Sequence, residues 1–182
     1  MDIKRRIVFF AILVILAAYV HSEETKQNYF NFGAGGLIAI SDGGVSPGFG
    51  LATAWINPNL FSNRIGIGTY INILVPLVED PVGATNFGGV FSILAGPSIV
   101  AIERNAFSIP ITLGYHFNYV IELSSGGDMI PWAINMGLGL AVDAVYQFGD
   151  KWHFYGRVIS IYNFGADGEF LLLPGIGLGF RF

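Results

Sequence analysis

The chain predicts an all-β fold: a closed, eight-stranded, antiparallel up-and-down barrel that crosses a membrane. Three observations predict it. Hydrophobic residues make up 53% of the chain and glycines number 25, yet past the N-terminus no apolar run approaches the roughly 20 residues of a spanning helix. High apolar content without a long apolar run is what alternating strands produce. Eight strand-like segments separated by turn chemistry then follow one another, at 28–40, 48–57, 64–77, 89–102, 106–123, 132–148, 152–164 and 171–182. In the last stretch, Leu171 to Phe182, the residues Leu172, Ile176, Leu178, Phe180 and Phe182 share one face, with Pro174 in the gap. Gly175, Gly177, Gly179 and Arg181 take the other, so one face is apolar and the other nearly bare.

The N-terminus fits a secreted protein. Lys4, Arg5 and Arg6 precede the apolar run Ile7–Val20, and His21, Ser22, Glu23 and Glu24 follow. A basic region, a short apolar core and a small residue at a cleavage point predict a signal peptide over 1–22, cut after Ser22, and a single barrel domain over 23–182. The apolar run of 14 residues is short for a spanning anchor. With no cysteine there is neither a lipoprotein anchor nor a disulfide framework. From Glu23 onward six basic residues face twelve acidic ones, a net charge of about −6. That balance argues against nucleic acid and heparin-like partners.

The connections alternate in character. Ser41–Pro47, Val78–Gly88, Ser124–Pro131 and Gly165–Phe170 read as the longer ones, Glu103–Asn105 and Gly149–Lys151 as very short, and Pro58–Asn63 as intermediate. Long loops on one side and short turns on the other, with both termini on the short side, suit a membrane barrel with periplasmic termini and extracellular loops. The fifth strand shows the alternation best. Phe107, Ile109, Ile111, Leu113, Tyr115, Phe117, Tyr119, Ile121 and Leu123 oppose Ser108, Pro110, Thr112, Gly114, His116, Asn118, Val120 and Glu122. Its apolar face carries no charge, as a lipid-facing surface requires when a charge there costs roughly 2–4 kcal/mol. Tyr29, Phe30, Phe32, Trp55, Trp132, Phe148, Trp152 and Phe154 gather near strand ends, as interfacial girdles do. A soluble barrel would instead need solubilising charge on the non-apolar face, which here is mostly Gly, Ala, Ser and Asn.

The inward face divides in two. Toward the loops, Leu37, Leu74, Val90, Leu94, Val120, Ile159, Ile161 and Leu173 form a candidate apolar binding chamber. Below it, His116, Asp143, Tyr155, Arg157 and Arg181 form a candidate polar plug. Pairing the sixth and seventh strands across Gly149–Lys151 sets Asp143 opposite Arg157, a structural ion pair first and a relay or filter second. The seventh and eighth strands are expected to set Tyr155 near Arg181 and Arg157 near Gly179. Eight strands enclose room for packed side chains or one small ligand, so an open aqueous pore is not expected.

The closing strand, ending at Phe182, resembles that of bacterial outer-membrane barrels, whose terminal aromatic is read by the barrel-insertion machinery. The whole pattern resembles the small eight-stranded barrels. These include the outer-membrane protein W family, with an apolar upper interior implicated in passage of small hydrophobic molecules, and the outer-membrane protein X and OmpA membrane-domain types. The resemblance implies a non-enzymatic outer-membrane barrel in contact with lipid, a binding site or passive conduit for small hydrophobic molecules. The alternative is a structural or surface-interaction barrel with a packed interior.

Two lipid A-modifying enzymes share this barrel size, and their chemistry needs a base beside a nucleophile. His21 leaves with the leader, His116 sits in mid-strand and His153 lies near the periplasmic end in His153-Phe154-Tyr155, which lacks the serine of a His-x-Ser pair. No catalytic set, metal-ligand spacing or cofactor is therefore expected. The loops carry Asp42, Glu79, Asp80, Asp128, Asp167 and Glu169 without a single Lys or Arg, a field that attracts basic proteins or divalent cations.

Overall fold

The structure, a computed structural model, describes residues 28–41, 44–62, 65–77, 87–123, 129–164 and 169–182; the leader read at 1–22 lies outside the described residues. The strands are β1 Tyr29–Ser41, β2 Gly44–Ser62, β3 Ile65–Pro76, β4 Phe87–Arg104, β5 Phe107–Leu123, β6 Met129–Gln147, β7 Trp152–Asn163 and β8 Phe170–Arg181. Each pairs antiparallel with its neighbours in sequence, and β8 closes on β1. An open sheet would leave two rows of unpaired N–H and C=O groups in hydrocarbon, at several kcal/mol for each lost partner; closure removes both rows.

Facing residues followed once around run Phe30, Trp55, Thr69, Ala95, Tyr115, Leu138, Tyr162, Phe170 and back to β1 at Ile40. That ten-residue stagger over eight strands tilts the strands by about 40° and gives a backbone radius of roughly 8 Å. A tube of this width fills with its own side chains.

One end of the barrel holds the connections 42–43, 77–86, 124–128 and 164–169, and is called the loop end here. The other, the terminal end, holds 63–64, 105–106 and 148–151, together with Asn28 and Phe182, whose backbones exchange two hydrogen bonds of 3.1 Å. In the 105–106 turn Asn105 takes the left-handed φ of 50° that asparagine tolerates better than most residues.

Two expected connections are shorter than their composition suggests. Only residues 42 and 43 separate β1 from β2, because the alternation continues through Val45 and Pro47, both exposed, and Ser46, half-buried. Pro47 lies beyond the last rung of the β2–β3 ladder, where its carbonyl still accepts the Leu77 N–H at 2.7 Å. The span expected as the 58–63 connection is mostly strand, with the register shifting between Asn57 and Ser62. Pro174 has the opposite effect on β8: the β1–β8 register stops at Gly35–Gly175 and resumes at Ile38–Leu172, because proline has no N–H for the Gly36 carbonyl.

Burial separates the two faces. Leu51, Ile73, Leu113, Met136, Val158 and Ile176 are exposed on the outside, and Thr53, a polar residue on that face, donates its hydroxyl to the Ile71 carbonyl at 3.2 Å. At the terminal end Phe30, Trp152 and Phe182 each meet the Phe180 ring, at 5.5, 6.1 and 5.5 Å, and Phe148 meets Phe154 at 4.4 Å. Tyr29 does not join this girdle. It alternates inward, is buried, and meets the His153 ring edge-on at 5.4 Å. The side chain of Trp132 lies outside the described residues.

Candidate functional site

The interior is built in layers from the terminal end upward. The lowest is a stopper. His153 on β7 and Asn31 on β1 meet over Gly179 of β8, with His153 Nε2 2.6 Å from Asn31 Oδ1. Gly179 has to be glycine, since a Cβ there would overlap both the His153 ring and the Asn31 amide.

The middle layer crosses the barrel. Asp143 on β6 stands opposite Arg157 on β7, and Arg157 Nε donates to Asp143 Oδ1 at 2.6 Å. The second carboxylate oxygen accepts the Tyr70 hydroxyl from β3 at 2.9 Å, and that hydroxyl also lies 2.9 Å from Thr112 Oγ1 on β5. The Arg157 guanidinium carbon sits 4.5 Å from the Tyr70 ring and 4.7 Å from the Tyr155 ring. A charge pair removed from water needs its remaining hydrogen-bonding capacity met; here the Tyr70 hydroxyl serves Asp143 and two rings flank the guanidinium, while Arg157 Nη1 and Nη2 have no hydrogen-bond partner among the described residues.

Above it lies the apolar layer. Leu37, Leu74, Val90, Leu94, Ile159, Ile161 and Leu173 are gathered in one core, joined by Leu171. Leu74, Leu94, Ile159 and Ile161 are 0% exposed and Leu37 is 3% exposed, so the layer is filled by side chains in mutual contact. The expected chamber is thus occupied by its own lining. The side chain of Val120 lies outside the described residues.

Three expectations for the polar plug change. His116 is not in it: Gly137, its cross-strand partner, is six residues from Asp143 along β6, about 20 Å of strand. His116 belongs to a separate cluster beside the apolar layer, with Nε2 2.9 Å from Ser92 Oγ and Nδ1 3.1 Å from Asn163 Oδ1; Asn163 in turn donates to Glu169 Oε2 at 2.8 Å. The β7–β8 register differs too, placing Tyr155 opposite Gly177 and Arg157 opposite Gly175. The reason is the connection: Asn163 N–H bonds to the Glu169 carbonyl at 2.9 Å, closing the strands earlier than the apolar pattern suggests. Arg181 consequently sits half-buried at the terminal end opposite Tyr29, away from Asp143.

Sequence reasoning also missed a base beside a hydroxyl. Ser92, His116 and Asn163 have the spacing of a nucleophile, base and orienting group. Ser92 and His116 are both 0% exposed in a hydrogen-bonded wall, however, which leaves no position for a reacting carbonyl beside the hydroxyl. Ser92 comes from β4 and Asn163 from β7, so no local motif announces the cluster; only the register across three strand pairs assembles it. Among the described residues no group of three His, Cys, Asp or Glu is placed to hold a metal.

An apolar exterior, a filled interior, aromatic rings at the terminal end and closure without an edge define an eight-stranded transmembrane barrel. The chain has the fold of the small eight-stranded outer-membrane β-barrels. Among solved structures it is similar to Neisserial surface protein A (TM-score 0.67, 13% identity, 87% of this chain and 100% of that one). It is likewise similar to the attachment invasion locus protein Ail of Yersinia pestis, in complex with the heparin analogue sucrose octasulfate (0.60, 17% identity, 87% and 100%). A third is the outer membrane protein OprG of Pseudomonas aeruginosa (0.58, 12% identity, 89% and 98%). At these identities the likeness is one of fold. No protein-family model matches the chain, and no curated protein matches it in sequence.

Proposed function

We propose that this protein is a packed, non-conducting and non-enzymatic barrel that anchors its loop end at the cell surface, where it meets partners. The observation that carries this reading is the filled apolar layer, backed by the cross-barrel Arg157 stack directly beneath it. A conduit for small hydrophobic molecules would need that layer to open, at the cost of contacts among Leu74, Leu94, Ile159 and Ile161. The burial of Ser92 supports the absence of catalysis. The acidic loop sequence favours cationic partners; a polyanion such as the one bound to Ail would be repelled. The Phe180–Phe182 pair on the closing strand, 5.5 Å apart and facing outward, supports recognition of that strand by the barrel-insertion machinery.

Flux into liposomes tests the reading. Folded protein is expected to pass small apolar solutes, sugars and ions no faster than protein-free liposomes do. Apolar flux above that background, blocked by Leu94→Arg, would favour a conduit instead.

A further inference from the structure

Arg157 carries more hydrogen-bond donors than its neighbours use. Its side chain is 1% exposed and Nε donates to Asp143 Oδ1, yet Nη1 and Nη2 have no partner among the described residues. A guanidinium is a fixed fork of N–H donors, and a buried donor left unpaired is costly. Asp143 lies on β6, to one side of β7, and the Tyr70 and Tyr155 rings flank the guanidinium carbon. On the other side of β7 stands a wall with no side chain longer than a methyl group. The rung from Arg157 runs through Gly175, Gly35 and Gly50, and the rung from Tyr155 through Gly177, Gly33 and Ala52. A Cβ at Gly175 would make ordinary contacts only, 3.5 Å from the Ala34 carbonyl oxygen, 3.7 Å from Ala52 Cβ and 3.8 Å from Arg157 Cβ. That leaves room for one further heavy atom between Arg157 and Ala52, about what a water needs. The Tyr155 hydroxyl reaches the same wall, and its 3.4 Å approach to the Ala52 carbonyl is long enough to leave it hydrogen-bonding capacity.

We propose that this wall holds an internal water, which accepts from the Arg157 Nη donors and donates to the Tyr155 hydroxyl. A buried water needs about two to four polar partners, and these groups supply them. A small anion would serve the donors equally well. Asp143 already balances the Arg157 charge, however, so an anion would leave a net negative charge where both side chains are almost wholly buried. A neutral guest carries no such penalty. Toward the terminal end His153 and Asn31 close the barrel, and toward the loops Leu74, Leu94, Ile159 and Ile161 close it. The water is therefore enclosed, a part of the cross-barrel layer and not a step along a path.

Water contact at the Arg157 Nη nitrogens tests this, read by solid-state NMR of the folded, arginine-labelled barrel in vesicles and assigned by the signal lost in Arg157→Lys. Wild type is expected to show magnetisation transfer from water to these nitrogens, unchanged when chloride is replaced by sulfate at constant ionic strength. Gly175→Ser places a hydroxyl oxygen where the water sits. The transfer should then fall by about half or more, while the melting midpoint stays near that of wild type. Gly175→Ala brings the same Cβ without an acceptor, and its midpoint should lie roughly 2–6 °C below that of Gly175→Ser. No transfer in wild type would overturn the proposal, since the donors would then be dry. A response to chloride would overturn it in favour of an anion, and full transfer retained in Gly175→Ser would overturn the placement against this wall.

Discussion

Asp143→Leu is expected to lower the stability of the folded barrel by about 3–5 kcal/mol, because it leaves the Arg157 guanidinium buried without its carboxylate. The Tyr70 and Tyr155 rings would still flank the cation, but rings replace only part of a lost charge pair. Arg157→Leu should cost a similar amount, since it leaves Asp143 with the Tyr70 hydroxyl alone. The double variant Asp143→Leu/Arg157→Leu removes both charges, and most of the loss should return. Urea unfolding from vesicles, followed by the fluorescence of the three tryptophans, measures all four proteins. A double variant as unstable as either single one would mean that the pair does more than neutralise itself.

The second large effect lies in the apolar layer. Leu94→Ala should cost about 2–5 kcal/mol, the price of a cavity among Leu74, Ile159 and Ile161 that the wall is too stiff to collapse into. Ile176→Ala, at a position 70% exposed on the outer face, removes a similar volume but opens it to lipid. Its effect should stay below about 1 kcal/mol, because lipid tails refill the space without leaving a void. The same unfolding assay compares the two. Equal losses would mean that Leu94 has an open space beside it in the folded state.

These positions show what the sequence could reveal. Alternation of period two is enough to assign inside and outside, so Leu37, Leu74, Leu94, Ile159 and Ile161 were legible as lining, as were Asp143 and Arg157 as a facing pair across a short turn. Whether that lining encloses a space depends on how side chains from opposite walls meet, which one-dimensional pattern does not encode. Register faded with loop length. The short β6–β7 connection fixed one pairing, while the six-residue β7–β8 connection left room for the slip that moved Tyr155 from Arg181 to Gly177. The Ser92–His116–Asn163 cluster was illegible for the same reason, being assembled from three strands whose pairings had each to be right. Proline misled at both extremes: Pro47 read as loop although it stands within β2, and Pro174 read as an ordinary gap although it interrupts the β1–β8 ladder.

The absence of cysteine allows the filled interior to be tested directly by single-cysteine labelling. Cysteine is placed in turn at Leu74, Leu94 and Ile161, and at exposed Asp150 as the control, and each folded protein in vesicles is treated with a small, water-soluble thiol reagent. A packed lumen predicts rapid labelling at position 150 and none at the other three until the barrel is unfolded. Labelling of the three interior positions at a rate near that of the control, in barrels that remain folded, would contradict the account and restore an open chamber.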